Sequence, residues 1–298
     1  VTLEPCCHTG KTPPCTQAAI NANVRRVVIR TLDPSDKVAG KGVSQLREAG
    51  IEVVVGVCES EAQRLLAPFA KLVTVGQPWA IAKWAMTLDG KIATHTKDSR
   101  WISNVKSREI VHEIRGRVDG VIVGSGTALA DDPLLMARPE GKRVATRIVV
   151  DSAASLATSS KLAMTAKEIP VLIAVGPNAD AAKCEQLQTL GCEIIVCDAP
   201  DHGQRLHQLF DELGRRDMTN VLCEGGSRLL GNLFDQRMID EACVFVAPKI
   251  VGGSGALTPI GGIGADLIAN CCQLKEVSIE TIDCDVYVRG FVDYETDC

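Results

Sequence analysis

The opening stretch, VTLEPCCHTGKTPPC, carries the first side chains that could do chemistry. Cys6 and Cys15 flank a loop whose prolines lack a backbone donor and whose glycine frees the backbone, so the loop has a defined irregular path. Cys15 also precedes TQAAINANV, a predicted helix whose N-terminus favours a thiolate. The pair could bind a metal, form a disulfide or do neither, and we expect His8 to face substrate or solvent. Because catalytic zinc usually takes three protein ligands, the loop by itself is at most part of a zinc site.

Two glycine clusters follow predicted strands further along the chain. In VGSGTALADDPLLMAR (123–138), Gly-Ser-Gly allows a ligand to approach the backbone closely, and Arg138 is suited to a phosphate. In NVLCEGGSRLLGNLF (220–234), a strand, two glycines and a helix follow one another, which is the geometry in which backbone N–H groups hold a phosphate. The pattern is not GxGxxG, so it does not predict a Rossmann fold. The turn at Asp89-Gly90, taken alone, is an ordinary β-turn.

The elements that must position these residues alternate between apolar runs and helical patterns, which predicts an α/β protein. A break at VGQPW places a domain boundary after residue 75, with a second domain over 76–298. In the first domain, Pro68 should bend or interrupt the helix predicted over 59–73. The predicted strands are 25–32, 51–57, 79–87, 119–124, 146–151, 169–175, 192–197, 219–225 and 242–252. The predicted helices include 40–50 and 105–117, and the chain is expected to end in an antiparallel hairpin.

Composition narrows the class of protein. The 298 residues are 46% apolar and 23% charged, the profile of a globular protein. A net charge of −5 gives no general attraction to nucleic acid or anionic membranes, and no apolar run reaches the roughly 18 residues of a membrane span. The 13 cysteines lie mostly in apolar segments, which is typical of buried thiols in a reducing cytoplasm.

The segment from VTLEPCC to LREAGIEV resembles the second half of the deaminase domain in the bifunctional riboflavin-biosynthesis deaminase/reductase family. TLEPC, the TPPC loop and the DP…VAGKG…AGI run carry this resemblance. It implies a partial cytidine-deaminase-like αβα domain over 1–75, with Cys6 and Cys15 as zinc ligands. The third ligand and the proton shuttle of that fold lie in a His-x-Glu segment. This chain has no such segment, and the family pattern places it before Val1, so we expect an N-terminally truncated chain whose deaminase half is incomplete.

The two glycine clusters and their spacing resemble the reductase domain of the same family, which implies a dihydrofolate-reductase-like α/β domain over 76–298 that uses NADPH. The implied NADP contacts are Ala85, Trp101, Thr127, Asp131, Ser152, Gly226, Ser227, Arg228, Leu229, Leu230, Gly231 and Asn232. The implied substrate contacts are Ser99, Arg115, Leu135, Arg138 and Glu224. The resemblance further implies a cytoplasmic homodimer or larger homo-oligomer acting on a small molecule, without nucleic acid or membrane partners.

The implied reaction reduces a ribosylamino-pyrimidine phosphate to its ribityl form by hydride transfer to ribose C1′. Opening of the ribose gives an imine, which a protonated group must polarise. Lys83 and Asp131 are the candidate acids or orienting groups, although a lysine that only packs its stem and an aspartate that caps a helix are the plain alternatives. Arg115 and Arg138 would hold the phosphate, unless Arg115 is a solvated helix charge. Glu224 would accept hydrogen bonds from pyrimidine N–H groups.

Three other interpretations stay open at the level of sequence. The chain could be a piece of a complete bifunctional enzyme, or a non-catalytic nucleotide-binding regulatory relative. The polar residues at strand ends argue against the second of these. A nucleic-acid-editing deaminase is the third, and the absence of a basic surface and of His-x-Glu argues against it.

Overall fold

The computed structural model describes residues 1–10, 12–141 and 143–295. The chain divides into two compact units, Val1–Gln77 and Pro78–Cys298. Among the described residues, no helix is both long and apolar enough to cross a lipid bilayer.

The first unit is built on two parallel strands, β1 (Arg26–Ile29) and β2 (Glu52–Val55). Its helices are α1 (Cys15–Asn21), α2 (Lys41–Glu48) and α3 (Glu59–Val75). The buried carboxylate of Glu4 accepts backbone N–H groups of Asp33, Gly40 and Val43 at 3.2, 2.9 and 2.9 Å. A carboxylate can be buried at low cost when it is satisfied in this way, and here it holds the start of α2 to the opening segment of the chain.

The expected interruption at Pro68 does not occur, because α3 runs as one helix of 17 residues with Pro68 inside it, and the alternative, a bend at Pro68, stays a prediction. An internal proline removes one backbone hydrogen bond. The turns of α3 on both sides of Pro68 stay helical, and the helix ends at Val75, followed by Gly76 with φ of 81°.

The second unit is a nine-stranded sheet with helices on its faces. Its strands are β3 (Trp79–Thr87), β4 (Gly120–Gly124), β5 (Thr146–Val150), β6 (Val171–Val175), β7 (Glu193–Val196), β8 (Asn220–Cys223), β9 (Glu241–Ala247), β10 (Gln273–Ile282) and β11 (Asp285–Asp293). Its helices are α4 (Val105–Arg115), α5 (Ser125–Asp131), α6 (Lys161–Met164), α7 (Ala181–Thr189), α8 (His202–Arg215) and α9 (Ser227–Asp235), with a short 3-10 turn at Ile268–Asn270.

The strand order is β10-β11-β9-β3-β8-β4-β5-β6-β7. The seven strands β3 to β9 pair with one another in parallel. Successive side chains of a strand point to opposite faces, which produces two cores. On one face, Ile122 and Ile148 pack with leucines of α8 and α9, and on the other Val121 and Val149 pack with α6 and α7. The predicted antiparallel hairpin at the end of the chain is confirmed as β10 and β11.

The strand predicted over 242–252 is too long. β9 ends at Ala247, opposite Thr87 at the end of β3. Pro248 follows directly and cannot donate a ladder hydrogen bond, and Gly252 and Gly253 have φ of 69° and 78°, outside the strand region. Residues 248–257 therefore form a loop at the carboxyl edge of the sheet.

Candidate active site

The two glycine clusters lie side by side at the carboxyl edge of the sheet. β8 is inserted between β3 and β4, so the segments that follow β4 and β8 are neighbours. The Thr127 hydroxyl on α5 donates to the carbonyl oxygen of Gly225 at 3.1 Å, and the Gly124 amide faces the same oxygen at 3.5 Å. Ligands of open α/β sheets bind at this edge, where the strand order departs from the chain order.

The turn between β8 and α9 leaves backbone groups accessible in the way a phosphate needs. Gly226, the residue before α9, has φ of 81°, and a Cβ there would lie 2.8 Å from the Thr127 hydroxyl oxygen. Within the described chain, no side chain caps the first N–H groups of α9. On the far side of the helix, a Cβ at Gly231 would meet the backbone of Gly261 at 2.2 Å. The two glycines allow this close packing, and the uncapped start of α9 fits a cofactor that carries a pyrophosphate.

A buried ion pair joins α4 to the end of β8. The guanidinium of Arg115 donates to both carboxylate oxygens of Glu224, from Nε at 2.5 Å and from Nη2 at 2.7 Å, and Nη1 donates to the carbonyl of Met136 at 3.2 Å. The two side chains are only 16% and 9% exposed. Burial opposes ionisation of Glu224, but the charge and hydrogen bonds of Arg115 outweigh it and lower the pKa of the carboxyl to about 2. Arg115 is therefore not a solvated helix charge.

Lys83 and His112 lie near Glu224: Lys83 follows Ala82, which pairs with Cys223 in the sheet, and His112 is on the same helix as Arg115. Burial lowers the pKa of Lys83 below that of an ordinary lysine, and the negative charge of Glu224 counters part of this effect. Burial and the nearby charge of Arg115 also lower the pKa of His112, whose Nδ1 lies 3.0 Å from the carbonyl oxygen of Met136. A lysine whose pKa is lowered gives up its proton more readily than a solvated lysine, which makes Lys83 a candidate proton donor.

Asp131 lies in a second group of polar side chains, at the end of α5. Its carboxylate oxygen Oδ1 is 3.5 Å from the Ser99 hydroxyl and 3.9 Å from the Arg100 guanidinium, and its carbonyl accepts from Arg100 Nη2 at 2.6 Å. Trp101, the residue after Arg100, is 63% exposed, and the guanidinium carbon of Arg108 lies 4.5 Å from the centroid of its ring. These contacts fix the segment between β3 and α4 against α5.

The structure places the other predicted site residues as follows. Ala85 lies on β3 two residues beyond Lys83, and Ser152 follows β5 with its carbonyl accepting from the Gly176 amide. Leu135 is buried with φ of 56°, whereas Arg138 is exposed. The residues predicted to bind NADP around α9 form its N-cap and first turns: Gly226, Ser227, Arg228, Leu229, Leu230, Gly231 and Asn232. Leu229, Leu230 and Gly231 are buried, and the Leu230 amide donates to the carbonyl of Gly226 at 3.1 Å, so the ligand contacts of these three residues stay a prediction.

Cys6 and Cys15 are close together in the first unit, as the backbone amide of Cys15 lies 3.4 Å from Cys6 Sγ. Their hydrogen-bonded contact raises the pKa of Cys15, against the thiolate expected at a helix start. No group of three or more candidate ligands occurs among residues 1–10, 12–141 and 143–295. Two thiols do not complete a zinc site of three protein ligands, so the zinc assignment stays a prediction.

Sequence reasoning missed His112. It precedes Arg115 by three positions in REIVHEIRGR, and such residues share one face of a helix. His112 is half-buried, and its position near Glu224 depends on packing between segments that are distant in sequence. No local sequence pattern predicts such packing.

Comparison with known proteins gives a family match over the second unit and similar proteins over most of the chain. The RibD C-terminal domain family matches residues 78–288. The chain is 39% identical over 286 residues to the riboflavin biosynthesis protein RibD of Actinobacillus pleuropneumoniae, covering 96% of this chain and 76% of that protein. It is also similar to the Thermotoga maritima diaminohydroxyphosphoribosylaminopyrimidine deaminase/5-amino-6-(5-phosphoribosylamino)uracil reductase. That crystal structure has 32% identity and a TM-score of 0.83, over 98% of this chain and 78% of that one.

A more distant neighbour shares the fold over 78% of this chain. The riboflavin biosynthesis reductase Rib7 of Saccharomyces cerevisiae aligns with a TM-score of 0.59 at 18% identity, over 78% of this chain and all of that one. This similarity is one of fold. With the family match over 78–288 and the relatives above 30% identity, the chain belongs to the RibD family of riboflavin biosynthesis proteins.

Proposed function

We propose that the chain is an NADPH-dependent reductase that converts 5-amino-6-(5-phosphoribosylamino)uracil to its ribitylamino product. The observation that carries the proposal is the position of Lys83 on β3, next to the end of β8 where Arg115 pairs with Glu224 and where the two glycine clusters adjoin. A proton donor, a carboxylate and a phosphate cradle are the parts that this reduction requires. The dihydrofolate-reductase-like description of the second unit belongs to the same proposal.

Residues of this chain that would hold the cofactor are the backbone of Gly226 to Asn232, Thr127, and the exposed ring of Trp101. When bound, the cofactor supplies the hydride. The protein supplies the proton: reduction of the opened ribose adds hydride to C1′ and a proton to the attached nitrogen. We assign that proton to Lys83, whose lowered pKa makes it a stronger acid than a solvated lysine.

The two arginines take different roles in this proposal. Arg115 has Nε and Nη2 committed to Glu224 and Nη1 to Met136, so we assign it to hold Glu224 in place for the pyrimidine N–H groups. Arg138 is exposed and can reach a ligand, so we assign it to the substrate phosphate.

The proposed activity is tested by following NADPH consumption with the deaminated ribosylamino-pyrimidinedione phosphate and identifying the product by mass. We expect turnover with NADPH and a product heavier by two hydrogens. A folded protein that consumes no NADPH with this substrate would rule the assignment out. NADH in parallel tests the cofactor preference.

Substitution of Gly226 by alanine should weaken NADPH binding. The new Cβ would approach the Thr127 hydroxyl to 2.8 Å and force a residue with a side chain into φ of 81°. We expect the KM for NADPH to rise about tenfold, because strain of this kind costs about 1–3 kcal/mol. Gly76→Ala is the matched control, as Gly76 has the same φ of 81° and no described atom within 4 Å of its Cβ. Equal KM values for the two variants would contradict a phosphate-binding site at the start of α9.

We further propose that the chain forms a homodimer or larger homo-oligomer through the β10 edge of the sheet. Ile279 on this edge strand is 68% exposed and Val277 is 45% exposed, which is unusual for an edge that stays in water. Ile279→Lys should shift the sedimentation coefficient to that of a monomer. Val196→Lys on β7, the opposite edge, replaces a residue that is 61% exposed and should leave it unchanged. A wild-type protein that sediments as a monomer would contradict the proposal.

A further inference from the structure

Two loops meet beside the proposed site. One runs from Leu88 to Asn104, between β3 and α4, and the other is the 248–257 loop after β9. β3 and β9 are adjacent and end together, with Thr87 opposite Ala247. The two loops therefore start from the same point of the carboxyl edge.

Asp89 joins the two loops. Its Oδ1 accepts the Thr87 hydroxyl at 2.6 Å and the Val251 amide at 3.1 Å, and its Oδ2 accepts the Gly252 amide at 2.7 Å. The Leu88 amide adds a backbone bond to the carbonyl of Lys249 at 2.8 Å. The sequence predicts only an ordinary β-turn at Asp89-Gly90, whereas in the structure the Asp89 carboxylate also accepts hydrogen bonds from the 248–257 loop.

The joined loops fix the predicted cofactor contact. Lys249 Nζ donates to the carbonyl oxygen of Trp101 at 2.6 Å, and Arg108 packs on the Trp101 ring. Trp101 is thus held at its backbone carbonyl and at one face of its ring, while the residue stays 63% exposed and open to a ligand. Holding a contact group in place before the ligand arrives raises affinity, because less conformational freedom is lost on binding.

We infer that Asp89 is a positioning residue of the reductase site: by tying the 248–257 loop to the end of β3, it sets Lys249 and thereby Trp101 for NADPH. The inference rests on the proposed function, since Trp101 is a cofactor contact only there. The charge of Asp89 matters as much as its shape. An asparagine would keep one acceptor oxygen and turn an amide donor toward the other N–H group.

The test compares Asp89→Asn and Lys249→Met in the full chain with Asp266→Asn, an exposed aspartate outside the two loops. We expect both test variants to raise the KM for NADPH about tenfold, the effect of losing one charge-assisted hydrogen bond, with a much smaller change in kcat. The control should keep wild-type values. A lower thermal midpoint and kcat in Asp89→Asn with an unchanged KM would mean a merely structural role and overturn the inference.

Two further measurements do not need turnover. NADPH binding, followed by quenching of tryptophan fluorescence, should weaken in Asp89→Asn and Lys249→Met. Trypsin should cleave after Lys249 faster in Asp89→Asn than in the wild type, because the loop is no longer tied. Equal cleavage and equal binding would overturn the inference. A wild type that binds NADPH without turnover would count against the reductase proposal alone, while these two measurements still decide the role of Asp89.

Discussion

Replacing Lys83 by methionine is expected to lower kcat at least about a hundredfold, the range seen when a general acid is removed. Methionine preserves most of the length and apolar character of the side chain but cannot donate a proton. Because burial already disfavours the charged ammonium, removing it should not lower the free energy of unfolding. NADPH affinity, which depends on the glycine cradle, should change little. Steady-state kinetics, together with a thermal unfolding curve, measure all three quantities.

The same assignment fixes the direction of the pH dependence. Lys83 must carry its proton to act, so kcat should fall as pH rises through its pKa, which lies below the ordinary value of 10.5. Lys83→Arg keeps the charge at every accessible pH, and any remaining activity should lose this decline. Lys167→Met, an exposed lysine on the same unit, serves as the control. Full activity in Lys83→Met would show that another group donates the proton.

The second large effect concerns stability. Glu224→Ala should lower the free energy of unfolding by about 3–5 kcal/mol, because it leaves the buried Arg115 guanidinium without its carboxylate. Glu52→Ala is the matched control. Its ion pair with Arg26 is 60% and 55% exposed, and such solvent-exposed pairs contribute little to stability. Urea unfolding of both variants measures the difference, and equal losses would contradict the account of the pair.

A double variant separates the effect of the unpaired charge from the effect of the lost side-chain volume. Replacing both partners, Arg115→Met with Glu224→Leu, should recover stability but not activity, since apolar residues can fill the site of a buried pair.

The Glu224 carboxyl also makes stability sensitive to acid. Its folded pKa of about 2 lies below the ordinary 4.5, so its contribution is complete above pH 4.5 and is lost as pH falls toward 2. Glu224→Gln should lack this part of the acid sensitivity.

Much of the sheet could be predicted because its strands are short apolar runs bounded by turn residues. β4, β5 and β6 are buried on both faces, and such strands are near-continuous runs of valine, isoleucine and leucine. Strand ends were harder to predict, because the end of β9 is decided by Pro248 and by pairing with β3 rather than by hydrophobicity. The continuous α3 shows that helical contacts can outweigh one internal proline.

The candidate site was predictable as a set of residues but not as an arrangement. Glycines after strands indicate close approach of a ligand, whereas the adjacency of the two clusters depends on the insertion of β8 between β3 and β4. Arg115 and Glu224 are 109 residues apart, and a helix charge looks the same in sequence whether it is solvated or paired. Asp89 is similar: its turn is visible in the sequence, but its partners in the 248–257 loop are not.

The central claim is that this site delivers a hydride to ribose C1′, and isotope transfer tests it most directly. The protein is incubated with the ribosylamino-pyrimidinedione phosphate and NADPH deuterated at C4 of the nicotinamide, on the face that the enzyme uses, and the product is analysed by mass spectrometry and NMR. The account predicts one deuterium in the product, located at C1′, and loss of this product in Lys83→Met. A reduced product without deuterium from either face of the cofactor, or with the label at another carbon, would contradict it.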